Sequence, residues 1–462
     1  MIGAMLTLDE LARALDGTLV GDGHAKFARV NSDSRSVGAG DLFVALVGEH
    51  FDGNNFAEMA IHHGAAAALV TRGRQWPVGH NLVEVDDTLV ALGRLGAYWR
   101  SRFDLPVVGI TGTNGKTSVK EMLAAVLRHQ VGEEGVLATA GNLNNQIGLP
   151  LMLSRIRSAH RYAVLEMGMN HFGEIRYLTK LAKPQVALVN NAGAGHLEFL
   201  GSIEGVARAK GEIYEGLAGD GIVVFNADDD HAGYWRGLAQ GRRVLDFGLN
   251  DAAVRASKVE VGPLESRFTL HTPQGEALVT LRVPGLHNVR NALAAAAAAT
   301  ALGLGVADIA AGLATYGGTK GRLQQKRAAN GALVIDDTYN ANPNSMRAAI
   351  DVLAAQRAPR ILALGDMGEV GAEIATAHHD VCAYARTAGI EHLFTTGEQM
   401  QEAVVAFGPN GLWFADHASL AAAVTEKMTA TSTVLVKGSR FMRMERVVDA
   451  LTNPANVAGA EK

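Results

Sequence analysis

Val107-Val108-Gly109-Ile110-Thr111-Gly112-Thr113-Asn114-Gly115-Lys116-Thr117-Ser118 is the stretch that decides how this chain is read. Its apolar start predicts a buried strand, its three glycines allow a tight turn, and the pattern from Val119 to Leu127 predicts a helix. A turn of this kind aims several backbone N–H groups at a phosphate, with the positive end of the helix behind them. Lys116 adds a mobile cation, and Thr117 a hydroxyl suited to Mg²⁺. The usual phosphate-loop pattern has a glycine five residues before Gly115. Here Ile110 stands in that place, and the glycines lie at Gly109 and Gly112. An ordinary tight turn would give no reason for Lys116 and Thr117 together, so the stretch Gly112, Thr113, Asn114, Gly115, Lys116, Thr117 and Ser118 predicts a nucleotide-phosphate site.

Outward from this stretch the chain keeps a strand–helix rhythm, which predicts an α/β protein. Its 462 residues exceed one comfortable core. Boundaries near Asp86 and Tyr316 divide it into units 1–86, 87–316 and 317–462. In the first, a helix from Thr7, a strand Leu42–Leu46, a helix Ala57–Ala68 and strands near Ala68 and Val83 form a small α/β unit. Ser34 and Arg35 there read either as a phosphate holder or as a capping hydroxyl beside a surface arginine. In the second, strands at Tyr162–Leu165, Val186–Val189 and Ile222–Phe225 follow the loop, with a helix at Ile203–Tyr214. The segment Val244–Leu281 predicts an antiparallel excursion, and the alanine run at Ala294–Ala299 a closely packed internal helix. In the third, strands at Leu333, Ile361, Leu393, Gly411 and Val434 alternate with helices, after a glycine hinge at Gly317-Gly318.

Polar residues gather at predicted strand ends, where parallel sheets bind ligands. Asn142, Asn144, Asn145 and Gln146 put four carboxamides beside glycines, a set suited to a polar ligand and equally readable as an Asn-rich turn. Glu166 closes a strand and is a candidate Mg²⁺ ligand beside Thr117, or a buried structural acid. His196 follows another strand end, and Lys210 lies in the Ile203 helix. Asn288 and Asn291, three apart at a helix start, reach a base or cap the helix. Past the glycine hinge, Lys320 and Arg322 place two cations beside flexible backbone, and Asp337, Tyr339, Asn340, Asp366, Lys437, Ser439 and Arg440 gather at the strand ends of the third unit, as a substrate cleft would require.

A formal charge of −5 gives no general attraction to nucleic acid or anionic membrane. The first residues do not read as an export signal, and no stretch reads as a membrane span. With Cys382 the only cysteine, no intrachain disulfide forms, and the thiol reads as buried and structural. The natural compartment is the cytoplasm.

The ordered set of Gly112–Ser118, Gly141–Pro150, Glu166-Met167-Gly168, Ala209–Glu212, His287-Asn288 with Asn291, Asp337–Asn340, Gly365–Met367 and Val436–Arg440 resembles the Mur ligase family over nearly the whole chain. These are the ATP-dependent ligases that build the peptide of bacterial cell-wall precursors, and the resemblance is greatest to the branch that adds a dipeptide. It implies a three-domain architecture: an N-terminal UDP-substrate domain, a central ATPase domain and a Rossmann-like C-terminal ligase domain. It implies ATP and Mg²⁺ as cofactors, UDP-N-acetylmuramoyl-tripeptide and D-alanyl-D-alanine as substrates, an acyl-phosphate intermediate and a monomer. It implies Lys116 at the transferring phosphoryl, Thr117 and Glu166 on one Mg²⁺, and His196 on a second. Asn288 and Asn291 would lie on the adenine side, Arg322 at ATP phosphate and Asp337 at the ribose. Lys210 matches a lysine that carries a CO₂-derived carbamate in related ligases; the alternative is an unmodified lysine pairing with phosphate or Glu212. The family often has Asp-Gly-His-Asp-Phe where this chain has Asp52-Gly53-Asn54-Asn55-Phe56. That departure puts more of the UDP-side reading on Ser34, Arg35 and Asn144–Gln146. Competing readings are a sister single-amino-acid or folylpolyglutamate-type ligase, a phosphate-loop kinase, and an ATP-gated scaffold.

Overall fold

The structure is a computed structural model and describes residues 3–76, 79–195 and 197–453. Three sheets, one after another along the chain, carry the architecture, each with its own helices.

The N-terminal sheet has five strands, with Ala67–Thr71 at its centre between Leu82–Val85 and Asp41–Val44. All its pairs are parallel except the edge strand Thr18–Val20 against Leu82–Val85. The expected helix Ala57–Ala68 is shorter, Ala57–His62, because Gly64 takes φ +105 and turns the chain into the strand. Four short strands over Leu6–Asn31 have no counterpart in the sequence pattern. They are two or three residues long and mix buried Leu6 and Phe27 with exposed Lys26 and Arg29, so no period shows.

The central sheet is all parallel, in the order Ile222–Phe225, Val186–Val189, Val107–Thr111, Tyr162–Glu166, Val136–Ala138. The decisive strand Val107–Thr111 thus lies in the middle, buried on both faces, and its neighbours leave the loop at a crevice beyond the strands' carboxyl ends. Ile110 pairs with Glu166 and Thr111 with Val189, so both flanking strands end beside the turn. The helix after the loop runs Lys116–Val131. Behind it lies the alanine-rich helix Leu286–Ala301, in which Ala292 and Ala294–Ala299 are fully buried. Methyl side chains let the two helices approach closely, and both share one core with Val108, Ile110 and Leu188. The excursion is a four-stranded sheet; its main ladders are antiparallel, but its first pair, Phe247–Gly248 with Val254-Arg255, is parallel. The expected helix Ile203–Tyr214 ends at Gly211 and tightens into a 3₁₀ turn over Glu212–Gly216.

The C-terminal sheet orders six strands as Gln324–Arg327, Leu333–Asp337, Thr433–Lys437, Arg360–Leu364, His392–Thr396 and Gly411–Phe414. Only the first is antiparallel. Cys382 is buried in the helix Ile374–Thr387, and burial pushes its thiol up to about 12, so it is an inert packing group. Direct hydrogen bonds tie the units together: Arg157 Nη2 to Ala28 O (2.7 Å), Thr88 Oγ1 to Ala45 O (2.8 Å) and Gln356 Nε2 to Pro263 O (2.7 Å). Among the described residues no helix is long and apolar enough to cross a membrane.

Candidate active site

A cleft of about 1240 Å³ opens where the carboxyl ends of the central and C-terminal sheets face each other. Its floor is the phosphate loop. Gly115 caps the following helix at φ +79, a conformation that strains any side-chain-bearing residue. A Cβ there would also press on Asn190 and Asn291. The loop's tip is held by the residues after Val186–Val189. Thr113 N donates to Asn191 O (3.0 Å), and Asn114 N to Asn191 Oδ1 (2.9 Å). The Asn114 carbonyl receives the amides of Asn190 (2.9 Å) and Asn191 (3.1 Å). Asp229 in turn accepts from Ala192 N at 2.9 Å and fixes the holding segment.

Lys116 Nζ curls back to the carbonyls of Gly112 (2.6 Å) and Thr113 (3.1 Å). Burial lowers its pKa from the ordinary lysine value, and the nearby Glu166 carboxylate opposes that shift. Thr117 Oγ1 donates to Glu166 Oε2 at 2.9 Å, and the other oxygen of Glu166 accepts from Asn144 Nδ2 at 2.9 Å. The C-terminal unit reaches the same point. Arg322 Nη2 donates to Thr117 Oγ1 at 3.1 Å, and its guanidinium lies 4.3 Å from the centre of the Tyr339 ring. Asn342 Nδ2 donates to Asn114 Oδ1 at 2.8 Å.

Lys210 is 1% exposed, near the end of the helix Ile203–Gly211. Burial, followed by the charge of Lys116, drives its pKa well below 10.5. Glu212 does not pair with it; its carboxylate caps the helix Glu174–Ala182 by accepting from Gly173 N (2.9 Å) and Arg176 N (3.1 Å).

On the opposite wall, Asn288 Nδ2 donates to Pro284 O (2.7 Å), and Asn291 Oδ1 accepts from Asn190 Nδ2 (3.1 Å). Both residues line the cleft, and Asn291 also braces the loop through Asn190. Asp337 is held by Lys437 Nζ (2.6 Å) and Leu323 N (3.2 Å), and Lys437 also donates to Asn340 O (2.8 Å). His287 lies beside these groups, and burial pushes its pKa down to about 4. Asn142, Asn144, Asn145, Gln146, Tyr339 and Asn340 all line the cleft, although Asn145 Oδ1 also caps the turn at Gly148 N (2.9 Å).

Other predicted positions fall elsewhere. His196 lies outside the described residues. Asp366, Ser439 and Arg440 do not line the cleft. Asp366 caps the helix Glu398–Ala403 through Gln399 N (3.2 Å) and Met400 N (3.0 Å). Ser439 Oγ accepts from Gly368 N (2.7 Å), fixing a turn that borders the cleft, and Arg440 pairs in solvent with Glu445 (3.0 Å). Ser34 and Arg35 stay in the N-terminal unit, away from the cleft, where Arg35 is exposed and pairs with Asp33 (2.8 Å). Asn54, at the place of the family's usual histidine, is buried and ties its turn to Thr71 through Thr71 N (2.9 Å) and Oγ1 (3.2 Å). Sequence reasoning assigned no role to Asn190, Asn191 or Asn342. The first two carried a usable signal, paired carboxamides at a parallel strand's end, whereas the partner of Asn342 is 228 residues away.

The phosphate loop with Lys116, the Glu166 carboxylate and the Arg322 guanidinium thus meet in the cleft, while Lys210 is buried nearby without lining it, an arrangement suited to phosphoryl transfer. Three family descriptions match the chain in order: the Mur ligase family catalytic domain over residues 26–97, the Mur ligase middle domain over 110–299 and the Mur ligase glutamate ligase domain over 321–440. The UDP-N-acetylmuramoyl-tripeptide–D-alanyl-D-alanine ligase of Escherichia coli is 43% identical, covering 96% of this chain and 98% of its own. That of Haemophilus influenzae is 39% identical at the same coverage. Among solved structures, MurF of Acinetobacter baumannii superposes with a TM-score of 0.90 at 37% identity, over 96% of this chain and 98% of its own. MurF of Thermotoga maritima in complex with ADP gives 0.81 at 26%, over 93% and 98%. With identity of this degree over nearly its full length and all three domains in order, the chain belongs to the Mur ligase family.

Proposed function

We propose that this protein is an ATP-dependent carbon–nitrogen ligase that joins D-alanyl-D-alanine to UDP-N-acetylmuramoyl-tripeptide, a step in building peptidoglycan, releasing ADP and phosphate. The observation that carries the reading is the meeting of Thr117, Glu166 and Arg322 at one point: a phosphate loop, a carboxylate and a guanidinium from two different units, within 3.1 Å of a single hydroxyl. Relatives bearing this name cover the same length of chain, which favours the dipeptide-adding reaction over the sister ligases.

Residues 1–86 are assigned to the UDP end of the substrate, 87–316 to ATP and 317–462 to the incoming dipeptide. In the first half-reaction the tripeptide's terminal carboxylate attacks the γ-phosphorus of ATP and ADP departs. Lys116 and Arg322 offset the charge that spreads over the transferring group. In the second, the dipeptide's amine attacks the acyl carbon and loses its proton. The tetrahedral intermediate then collapses, forming the peptide bond and expelling phosphate. The cleft walls exclude water from the acyl phosphate.

Mg²⁺ suits the donors present. The Thr117 hydroxyl and Glu166 carboxylate are hard oxygens already side by side, and Mg²⁺ takes one or two carboxylates together with substrate phosphates. Thr117 and Glu166 would hold it, with His196 and a carbamylated Lys210 as further ligands, and it would neutralise phosphate charge. A neutral, buried Lys210 amine is the form that adds CO₂. Asn288 and Asn291 are assigned to the adenine side and Asp337 to the ribose. Asn142, Asn144, Asn145, Gln146, Tyr339, Asn340 and Lys437 are assigned to the two substrates, and Ser34 and Arg35 to the uridine end. The protein acts as a monomer in the cytoplasm.

The test is phosphate release from Mg·ATP and UDP-N-acetylmuramoyl-tripeptide, with and without D-alanyl-D-alanine, weighing the nucleotide product. A product heavier by the dipeptide less one water supports the assignment. Stimulation by free alanine or glutamate instead would transfer it to a sister ligase.

A further inference from the structure

The helix Pro343–Ala354 starts in the cleft wall, and its cap, Asn342, uses both ends of its side-chain amide. Asn342 Oδ1 accepts from Ser345 N at 2.9 Å, while Ser345 Oγ accepts from Asn342 N at 3.0 Å, a reciprocal cap that locks the side chain's direction. The NH₂ of the planar amide must then point away from the helix, and it meets Asn114 Oδ1 at 2.8 Å. The far side of this contact is equally constrained. Asn114 is fixed through its own backbone N–H and carbonyl by Asn190 and Asn191, leaving its side chain to face the C-terminal unit. Two rigid elements, the tip of the phosphate loop and the first turn of a C-terminal helix, are therefore joined by one uncharged hydrogen bond.

We propose that Asn342 is a positioning residue for the second half-reaction: its bond to Asn114 sets the register in which the C-terminal unit closes on the phosphate loop. This rests on the ligase reading above. The acyl phosphate has two fates. Attack by the dipeptide's amine gives the peptide bond and phosphate. Attack by water returns the tripeptide carboxylate and phosphate, so ATP is consumed without product. Correct register places the amine in line and keeps water out. A misregistered closure favours the second fate.

Asn342→Ser separates the two uses of the side chain, because serine caps a helix about as well as asparagine but is too short to reach Asn114. With the full-length protein, we expect a melting temperature and a KM for ATP close to those of the unaltered protein. Ligation kcat should fall roughly 10- to 100-fold, and phosphate released per dipeptide joined should rise above one. Asn114→Ala leaves the cap untouched and should give the same rise, and the double variant should be no worse than the worse single one. Asn342→Asp should be rescued in part, since the Asn114 amide can turn to donate to the new carboxylate. A ratio of one with unchanged kcat in Asn342→Ser, or additive losses in the double variant, would overturn the proposal. If the unaltered protein itself shows no dipeptide-stimulated turnover, the ligase reading fails instead. The contact is then judged by small-angle scattering in Mg·ATP: a larger radius in Asn342→Ser supports its role in closure, and an equal radius refutes it.

Discussion

Lys116, half-buried in the cleft, and Lys210, fully buried close enough to feel its charge, are two neighbouring amines. Burial lowers the proton affinity of both, and the charge of Lys116 lowers that of Lys210 further. For Lys210 the shift has a consequence for stability. Its folded-state pKa lies well below the ordinary 10.5, so between the two values the unfolded chain binds a proton that the folded chain lacks. Stability therefore rises with pH across that window, and at neutral pH the buried amine is a cost. Lys210→Met removes a fully buried ionisable amine and keeps much of its shape. We predict that it stabilises the protein by about 1–3 kcal/mol at neutral pH while abolishing ligation. The gain should shrink as pH approaches 10.5, the ordinary lysine value, and thermal melts over a pH series in CO₂-free buffer would show it. Added bicarbonate should stabilise the unaltered protein and not the variant. Glu166 makes the opposite case. Its two oxygens accept from two donors, Thr117 and Asn144, and glutamine offers only one acceptor. Glu166→Gln should fold, lower kcat roughly 10²- to 10³-fold and move the Mg²⁺ dependence to higher concentration, as steady-state assays over a Mg²⁺ series would reveal.

The element that organises the chain is the strand–loop–helix from Val107 to Val131, and its geometry depends on a glycine that two asparagines surround. Gly115→Ala must hold φ near +79 and would push its methyl against Asn190 and Asn291. We expect calorimetry to show ATP binding lost, with a stability decrease of about 1–3 kcal/mol. This element was legible in the sequence because its apolar strand, glycines and Lys-Thr pair lie so close together along the chain. The parallel strands were legible for the same local reason: runs such as Val186–Val189 and Ile361–Leu364 are apolar on both faces. Local pattern failed where tertiary contacts decide. The edge strand Gln324-Gln325-Lys326-Arg327 has no apolar face and exists because Leu333–Asp337 offers it a partner. Likewise, Asp366 and Ser439 sit at strand ends where a ligand group belongs, yet their hydrogen bonds serve a helix cap and a turn. A strand end narrows the candidates, but only the fold reveals which side chains face the cleft.

At the scale of the whole molecule, the cleft exists only because the C-terminal unit lies against the central one, and the chain passes between them at Tyr316-Gly317-Gly318. The two glycines differ in what they require. Gly318 has φ +98, and a Cβ there would meet nothing nearer than Val283 Cγ1 at 3.6 Å. There is room for a side chain, but the backbone conformation resists one. Gly317 has neither a positive φ nor a neighbour within 4 Å of an added Cβ. An alanine at 318 therefore strains this arrangement of units by roughly 1–2 kcal/mol and is relieved by any rotation that restores negative φ, whereas an alanine at 317 adds no such bias. Opening the cleft would break the hydrogen bonds of Arg322 to Thr117 and of Asn342 to Asn114, both at the phosphate loop. Gly318→Ala should accordingly lower kcat about 5- to 30-fold, the factor by which 1–2 kcal/mol shifts a two-state equilibrium. ATP affinity should change less, since the loop and its asparagine clasp lie wholly in the central unit. Gly317→Ala should remain within about twofold of the unaltered protein. Scattering in Mg·ATP should report a larger radius for the first variant only. Equal kcat in the two variants would mean that closure turns about some other part of the chain.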